Sequence, residues 1–247
     1  MINRTLDWIS NHDPRSREYS FKQKMGSSSI AEVPTFWEEG IVLDQGKEGA
    51  CVGFAWTGEL LAEPSAPAIQ PEFHSANMLA VSFYKSAQKI DEWAGENYEG
   101  TSVLAGAKVM KSQGFIGEYR WCFGIEAVKS AVLSEGPVVL GVPWFSGMYG
   151  TLPGGLVIVS GSKIGGHAIL ITGYHPNLKF GNQIHEVFRW RNSWGAEYGT
   201  GGSGWIKKKD LKKLLSDGGE ACVPIDRKIP VFKDIRANAW KEAVSPA

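Results

Sequence analysis

Cysteine is scarce in this chain. Cys51, Cys122 and Cys222 are the three thiols among 247 residues, an odd number and too few for the disulfide framework of a small secreted domain. A reducing compartment is the expectation, with a Cys122–Cys222 bridge as the open alternative. Net charge is also missing. Lys plus Arg and Asp plus Glu both total 26, so no global electrostatic pull toward nucleic acid or an anionic membrane exists, and neither is expected as a partner. Long apolar runs are absent too: Gly155–Val159 and Ala168–Ile171 are far too short to span a bilayer. The opening residues, Met1 to Trp8, lack the charged start and apolar stretch of a signal peptide, so a cytoplasmic setting is expected. The histidines, at 12, 74, 167, 175 and 185, show no close metal-ligand spacing with the cysteines. No Lys-Ser or Lys-Thr follows the glycines near 199–204, so no phosphate-binding loop is implied. Neither a metal nor another cofactor is expected. The basic cluster Lys207–Lys209 with Lys212 and Lys213 reads as a solvated face.

What is present is an ordinary globular composition, 43% apolar and 21% charged, on a chain long enough for one large domain or two packed halves. Residues 1–33 are polar and poorly periodic, with Gly26–Ser29 as a flexible link, and read as an extended arm. Helical spacing begins at Cys51 and stops at Pro64. Further helices are expected over 71–90, from a Ser102 cap to Gly114, and over 125–134. After Pro137 the texture turns to short apolar or alternating strands at 138–142, 156–160, 167–174, 187–192 and 204–207. A short helix at 210–215 and a strand at 221–225 follow. Helices first and strands second imply an α+β fold, a helical lobe over 34–136 against an antiparallel sheet lobe over 137–227, with a cleft between them. Residues 228–247 form a tail.

Three separated segments carry chemistry: Gln45-Gly-Lys-Glu-Gly-Ala-Cys51, Gly166-His167 and Asn192-Ser-Trp194-Gly195. Cys51 closes a glycine-bearing loop at the amino end of a helix, where unpaired N–H groups and the helix dipole favour a thiolate. Alone, it reads as an inert buried cysteine. His167 follows two glycines, and alone it reads as a core or edge histidine. Asn192 ends a strand beside an indole, where its amide oxygen can accept from one imidazole nitrogen and fix the tautomer. Alone, it is a turn residue. Gln45 can add a side-chain N–H to the Cys51 backbone N–H in stabilising an oxyanion, a donor worth about 3 kcal/mol in the transition state. Thiol, imidazole, orienting amide and oxyanion donor are the parts of a nucleophilic acyl-transfer centre.

In this order the segments resemble the papain-like cysteine peptidases, from about Gln45 to Trp205. Gly100-Thr-Ser, Val128–Val138 and Tyr198-Gly to Gly204-Trp-Ile supply supporting matches. The resemblance implies the two-lobe fold with its cleft and hydrolysis of a peptide or protein substrate by an endopeptidase. Cys51 would be the nucleophile and His167 the acid/base. Asn192 would orient His167, Gln45 would serve the oxyanion, Trp194 would shield the Asn192–His167 contact, and Gly100 would pair with substrate backbone. It also implies that Ser102, Gly141, Gly166 and Ala168 border the pocket for the second residue before the cleaved bond. Those small side chains suggest a roomy apolar pocket for a bulky hydrophobic residue.

The chain departs from the family pattern in four places. In Glu48-Gly-Ala-Cys51-Val52, Glu48 stands where secreted members keep a disulfide cysteine, and Val52 replaces an aromatic residue. The spacing of 116 from Cys51 to His167 is shorter than the roughly 130–150 of papain and the cathepsins. Only 50 residues precede Cys51, too few for a long helical propeptide, which points to a microbial or viral member. The 1–33 arm is read as structural, with restraint of activity or docking as its alternatives. The tail, with Phe232 and Trp240, has no family counterpart. Two other functions use the same residues: acyl transfer to an amine, as in transglutaminases and amidases, and catalytically silent peptide binding. The asparagine third member, the Gln45 spacing and the intact set speak against both.

Overall fold

A helix that is apolar all round belongs in the middle of a protein, and α1 (Cys51–Leu61) is one: every residue but Gly58 is buried. The computed structural model describes residues 4–11, 13–21, 31–95 and 97–229; the Gly26–Ser29 link and the tail from 230 onward lie outside the described residues. Around α1 pack α2 (Phe73–Gln88) and α3 (Val103–Ser112). Close approach is possible because the facing positions lack side chains. A Cβ on Gly53 would lie 2.2 Å from the Ala80 carbonyl, and one on Gly106 2.2 Å from the Trp56 ring. Ser102 caps α3, accepting from Ala105 N at 3.0 Å.

The remaining elements, in chain order, begin with β1 (Thr35–Phe36), β2 (Ile116–Trp121), α4 (Ile125–Ser134) and β3 (Val138–Phe145). Then come β4 (Thr151–Leu152), β5 (Leu156–Val157), β6 (Lys163–Phe180), β7 (Gln183–Arg191), β8 (Ser203–Lys207), α5 (Lys208–Ser216) and β9 (Glu220–Arg227). The sheet runs β2-β9-β3-β6-β7-β8-β5-β4, with β1 on β6. Its pairings are antiparallel apart from β5 with β8. The α+β order expected from sequence is the one observed. Two details differ. The nominally helical first half contributes β2, whose Trp121 pairs with Cys222. And β6 extends beyond its apolar stretch at both ends, where its residues still pair with β3 and β7, so His167 lies inside the strand opposite Val142 rather than at its start.

One core cluster joins the helices to Val139, Ala168, Leu170 and Cys222 of the sheet; a second gathers Trp144, Trp190, Trp194 and Phe188 with α4 and α5. Cys122 and Cys222 are separate buried thiols. A buried ion pair ties the halves: Glu59 of α1, fully buried, accepts from Arg227 Nε at 2.7 Å. Arg227 also donates to the carbonyls of Glu135 and Pro137, at 2.9 and 3.0 Å. Breaking such a pair from one side strands the other charge, at a cost of about 3–5 kcal/mol. Arg227→Met is therefore expected to lower the urea midpoint, followed by tryptophan fluorescence, by the equivalent of about 3 kcal/mol. A loss below about 1 kcal/mol would assign the pair the weight of an exposed one.

Candidate active site

The loop carrying Gln45 is fastened at both ends before it enters α1. Upstream, the Glu39 carboxylate accepts from Arg189 Nε (2.8 Å), Thr172 Oγ1 (2.6 Å) and Ser203 Oγ (2.6 Å). At the site itself, Gln45 N donates to the Ser193 carbonyl at 2.9 Å and Gly195 N to that of Leu43 at 3.0 Å. The thiol segment and the Asn192-Ser-Trp segment are thus stitched backbone to backbone. Ser193, to which the sequence assigned no role, donates its hydroxyl to Gln45 Oε1 at 2.7 Å. That leaves Nε2, the donor end, aimed at the Glu48 carbonyl (2.8 Å) and, more weakly, at the Thr5 carbonyl (3.4 Å).

His167 Nε2 lies 2.8 Å from Asn192 Oδ1. The same oxygen accepts from Ser193 N at 2.8 Å, which fixes it as the acceptor end of the amide and makes Nε2 the protonated nitrogen of a neutral ring. Nδ1, left as a base, has no hydrogen-bond partner among the described residues. The ring is clamped between Trp144, edge-on at 4.7 Å between centroids, and Trp194 at 4.8 Å. Tyr149 stacks on the outer side of Trp194 at 5.5 Å. Trp144 is a second shield that sequence reasoning missed; alternation along β3 from Val142 would have placed it beside His167.

Cys51 opens α1 with its sulfur against the backbone N–H groups of Ala168, Asp7 and Val52. The Ala168 contact puts the thiol at the peptide just after His167. Cys51, His167, Asn192, Gln45, Trp194 and Ala168 are therefore brought to one place. Their charge state differs from the sequence expectation of a thiolate. Burial pushes the Cys51 thiol up to about 12, against the opposing pull of those N–H groups. Burial likewise pushes His167 down to about 4, although the Asn192 bond favours its cation. Both residues are 0% exposed, and in that surrounding the pair is neutral.

No family model and no curated protein sequence matches the chain. Solved structures do. Xylellain, a cysteine protease from Xylella fastidiosa, superimposes with a TM-score of 0.63 at 19% identity, covering 92% of this chain and 96% of that one. Digestive procathepsin L 3 of the Tenebrio molitor larval midgut gives 0.55 at 13%, covering 89% and 83%. The bromelain protease of Ananas comosus, solved with the E64 inhibitor, gives 0.54 at 16%, covering 76% and 94%. The chain has the papain-like fold.

What buries the site of this papain-like chain is its own beginning. Residues 4–9 lie along the cleft as an added strand. Trp8 N donates to the Gly166 carbonyl (3.0 Å), Thr101 N to the Asp7 carbonyl (3.3 Å) and Ile9 N to the Thr101 carbonyl (3.1 Å). Both bridges are parallel. Arg4 anchors the outer end on Asp44 Oδ1 (2.5 Å) and the Trp194 carbonyl (2.9 Å). Residues 1–33 are expected from sequence to form an extended arm preceding the fold; residues 4–9 are instead packed into it, because the Trp8 and Ile9 N–H groups, the Arg4 cation and the Trp8 indole find partners there.

The pocket residues follow from the same contacts. A Cβ on Gly141 would lie 2.1 Å from the Trp8 indole nitrogen, and one on Gly166 2.6 Å from its ring. Trp8 fills this space and is 8% exposed. Ser102 contributes its cap to α3 rather than a polar wall. Gly100 does not form the arm's ladder; Thr101 does. The Gly100 N–H is taken by Tyr84 Oη at 3.0 Å. Its φ of +95° and missing side chain give clearance, since a Cβ there would lie 2.1 Å from the Asp7 carbonyl oxygen. The pocket is not wholly apolar, as the sequence suggested. Trp8 Nε1 donates to Glu220 Oε1 at 2.9 Å, and Glu220 is buried.

Proposed function

We propose that the chain is a papain-like cysteine peptidase, cleaving within extended polypeptide, and that residues 4–9 hold it latent. The observation that supports it best is the Asn192–His167 hydrogen bond, which leaves Nδ1, the basic nitrogen, without a hydrogen-bond partner among the described residues. Once the cleft opens, the Cys51 proton passes to Nδ1 and the thiolate attacks the substrate carbonyl carbon. The oxyanion is met by the Cys51 N–H and Gln45 Nε2. His167 then gives its proton to the leaving amine, and water, deprotonated by the same imidazole, releases the acid and restores the thiol.

The arm blocks two of these parts: its Thr5 carbonyl takes a Gln45 donor, and Trp8 fills the pocket. Cleavage of a denatured protein by the Trp8→Ala chain, with products mapped by mass spectrometry, tests the reading. Products unchanged by Cys51→Ala would overturn it.

Closure should depend on pH. The Asp7 carboxyl lies by Gly49, with Glu99 beside it. Burial, then the Glu99 charge, raises it from 3.8 to about 6; Cys51 and Tyr84 face it as well. A group whose pKa is raised on docking binds its proton more tightly when docked, so docking is strongest below the free value and weakens as pH climbs through about 6. Labelling of Cys51 by a pyridyl disulfide, which reacts in acid, should accelerate between pH 4 and 6, and Asp7→Asn should flatten that rise. An identical profile in the variant would remove Asp7 from the control.

A further inference from the structure

Arg4 shows how this molecule holds a guanidinium at one end of the cleft. Its Nη1 donates to Asp44 Oδ1 at 2.5 Å and, more weakly, to the Gly46 carbonyl at 3.4 Å; Nη2 donates to the Trp194 carbonyl at 2.9 Å. All three acceptors belong to the body, and the body holds them in place by contacts that do not involve the arm. Asp44 N donates to Asn77 Oδ1 at 3.0 Å, Gly46 N donates to Asp44 Oδ1 at 2.9 Å, and Asp44 bridges Trp194 in antiparallel register. Gly195 leaves room for the carboxylate, since a Cβ there would lie 2.8 Å from Asp44 Oδ2. A carboxylate and two carbonyls fixed around one point match a planar cation that bears several N–H groups. The place is part of the cleft: Asp44 adjoins Gln45, and the Trp194 ring covers that of His167.

We infer that Asp44, with the Trp194 and Gly46 carbonyls, forms a specificity site for a substrate arginine among the first three residues after the cleaved bond. The inference rests on the peptidase reading for its register. The pocket that Trp8 fills lies before the cleaved bond, and the Asp7 backbone meets the Cys51 sulfur. Arg4 lies three residues beyond Asp7 on the other side, about 10 Å of extended chain. When the arm leaves, the Asp44 charge faces whatever polypeptide replaces it. An arginine there restores the contacts that Arg4 made. Lysine, a point charge without the fork, is bound less well. Citrulline has the length and planarity of arginine and keeps N–H groups, but it carries no charge to set against the carboxylate.

The test uses the full chain with Arg4→Ala and Trp8→Ala, which frees the site. Paired fluorogenic peptides carry arginine or citrulline at the first, second or third place after the bond. At one of these places the kcat/KM ratio is expected to favour arginine about tenfold. That lies between an exposed ion pair and a buried charge-assisted hydrogen bond, as suits an Asp44 side chain that is 32% exposed. Asp44→Asn keeps an oxygen for Gly46 N and removes the charge, and it should bring the ratio to within about twofold of one. A ratio under about threefold at all three places, or one that keeps more than about half its size in Asp44→Asn, overturns the inference. Titration calorimetry of the same peptides with the Cys51→Ala form of this chain separates the two readings. Arginine-selective binding that Asp44→Asn abolishes, without any turnover in the Cys51 form, removes the peptidase reading alone. Equal binding of the arginine and citrulline peptides, or of neither, removes the specificity inference.

Discussion

Replacing Trp8 with alanine in the full chain is expected to raise the rate of Cys51 alkylation, and with it peptide turnover, by about 30- to 1,000-fold. Truncating a buried tryptophan costs about 3–5 kcal/mol. Here most of that loss falls on a docking equilibrium, because Trp8 belongs to the arm and its pocket belongs to the body. Some 2–4 kcal/mol moved from the closed to the open form gives the stated range. The effect has two parts. Opening restores access, and it also returns Cys51 and His167 to water, removing the burial that holds the thiol near 12 and the imidazole near 4. Timed quenching with iodoacetamide and peptide mapping would follow Cys51 separately from Cys122 and Cys222. A rate equal to wild type, in a variant with unchanged far-ultraviolet circular dichroism, would exclude the arm as the barrier.

Cys51→Ala in the Trp8→Ala background is expected to reduce kcat/KM by about 10⁴- to 10⁶-fold, the scale on which loss of a covalent nucleophile is measured. Among the described residues, neither of two other candidates replaces it. Cys122 is buried and burial pushes its thiol well above its ordinary value, and Ser193 spends its hydroxyl on Gln45. Cys122→Ala therefore serves as the control, since it removes a thiol without touching the cleft. A fluorogenic peptide reads both; turnover that survives Cys51→Ala at more than about one part in a thousand would require another nucleophile.

The residues of the candidate site were legible because each sits in a short segment whose local chemistry is unusual: a glycine-rich loop into a helix, two glycines before a histidine, an asparagine before an indole. Ser102 capping α3 and α4 over Ile125–Ser134 were legible for the same local reason. The arm was not. Residues 4–9 have no periodicity, and Trp8 finds its carboxyl partner 212 positions away. Along the arm it is Thr101, next to Gly100, that makes the ladder bonds; a glycine signals close approach without saying which neighbour makes the hydrogen bond. The thiolate expectation weighed the helix end but not what would cover it. Strand β2 escaped notice because its sequence, Ile116-Gly-Glu-Tyr-Arg-Trp, earns its place only through β9, more than a hundred positions later.

Residue Phe21 donates its N–H to the Trp121 carbonyl at 2.7 Å, and Ser20 bridges the same residue. The occupant of the cleft is therefore leashed to β2 only a dozen residues from Trp8. A tethered competitor is always present at a fixed effective concentration, whatever the amount of protein. In the peptidase proposed above it would compete with substrate and leave the chemistry of the bound complex alone. Its signature is an inflated KM with an undiminished kcat, by the reciprocal of the open fraction, and saturating substrate would work the enzyme as though the arm were not there.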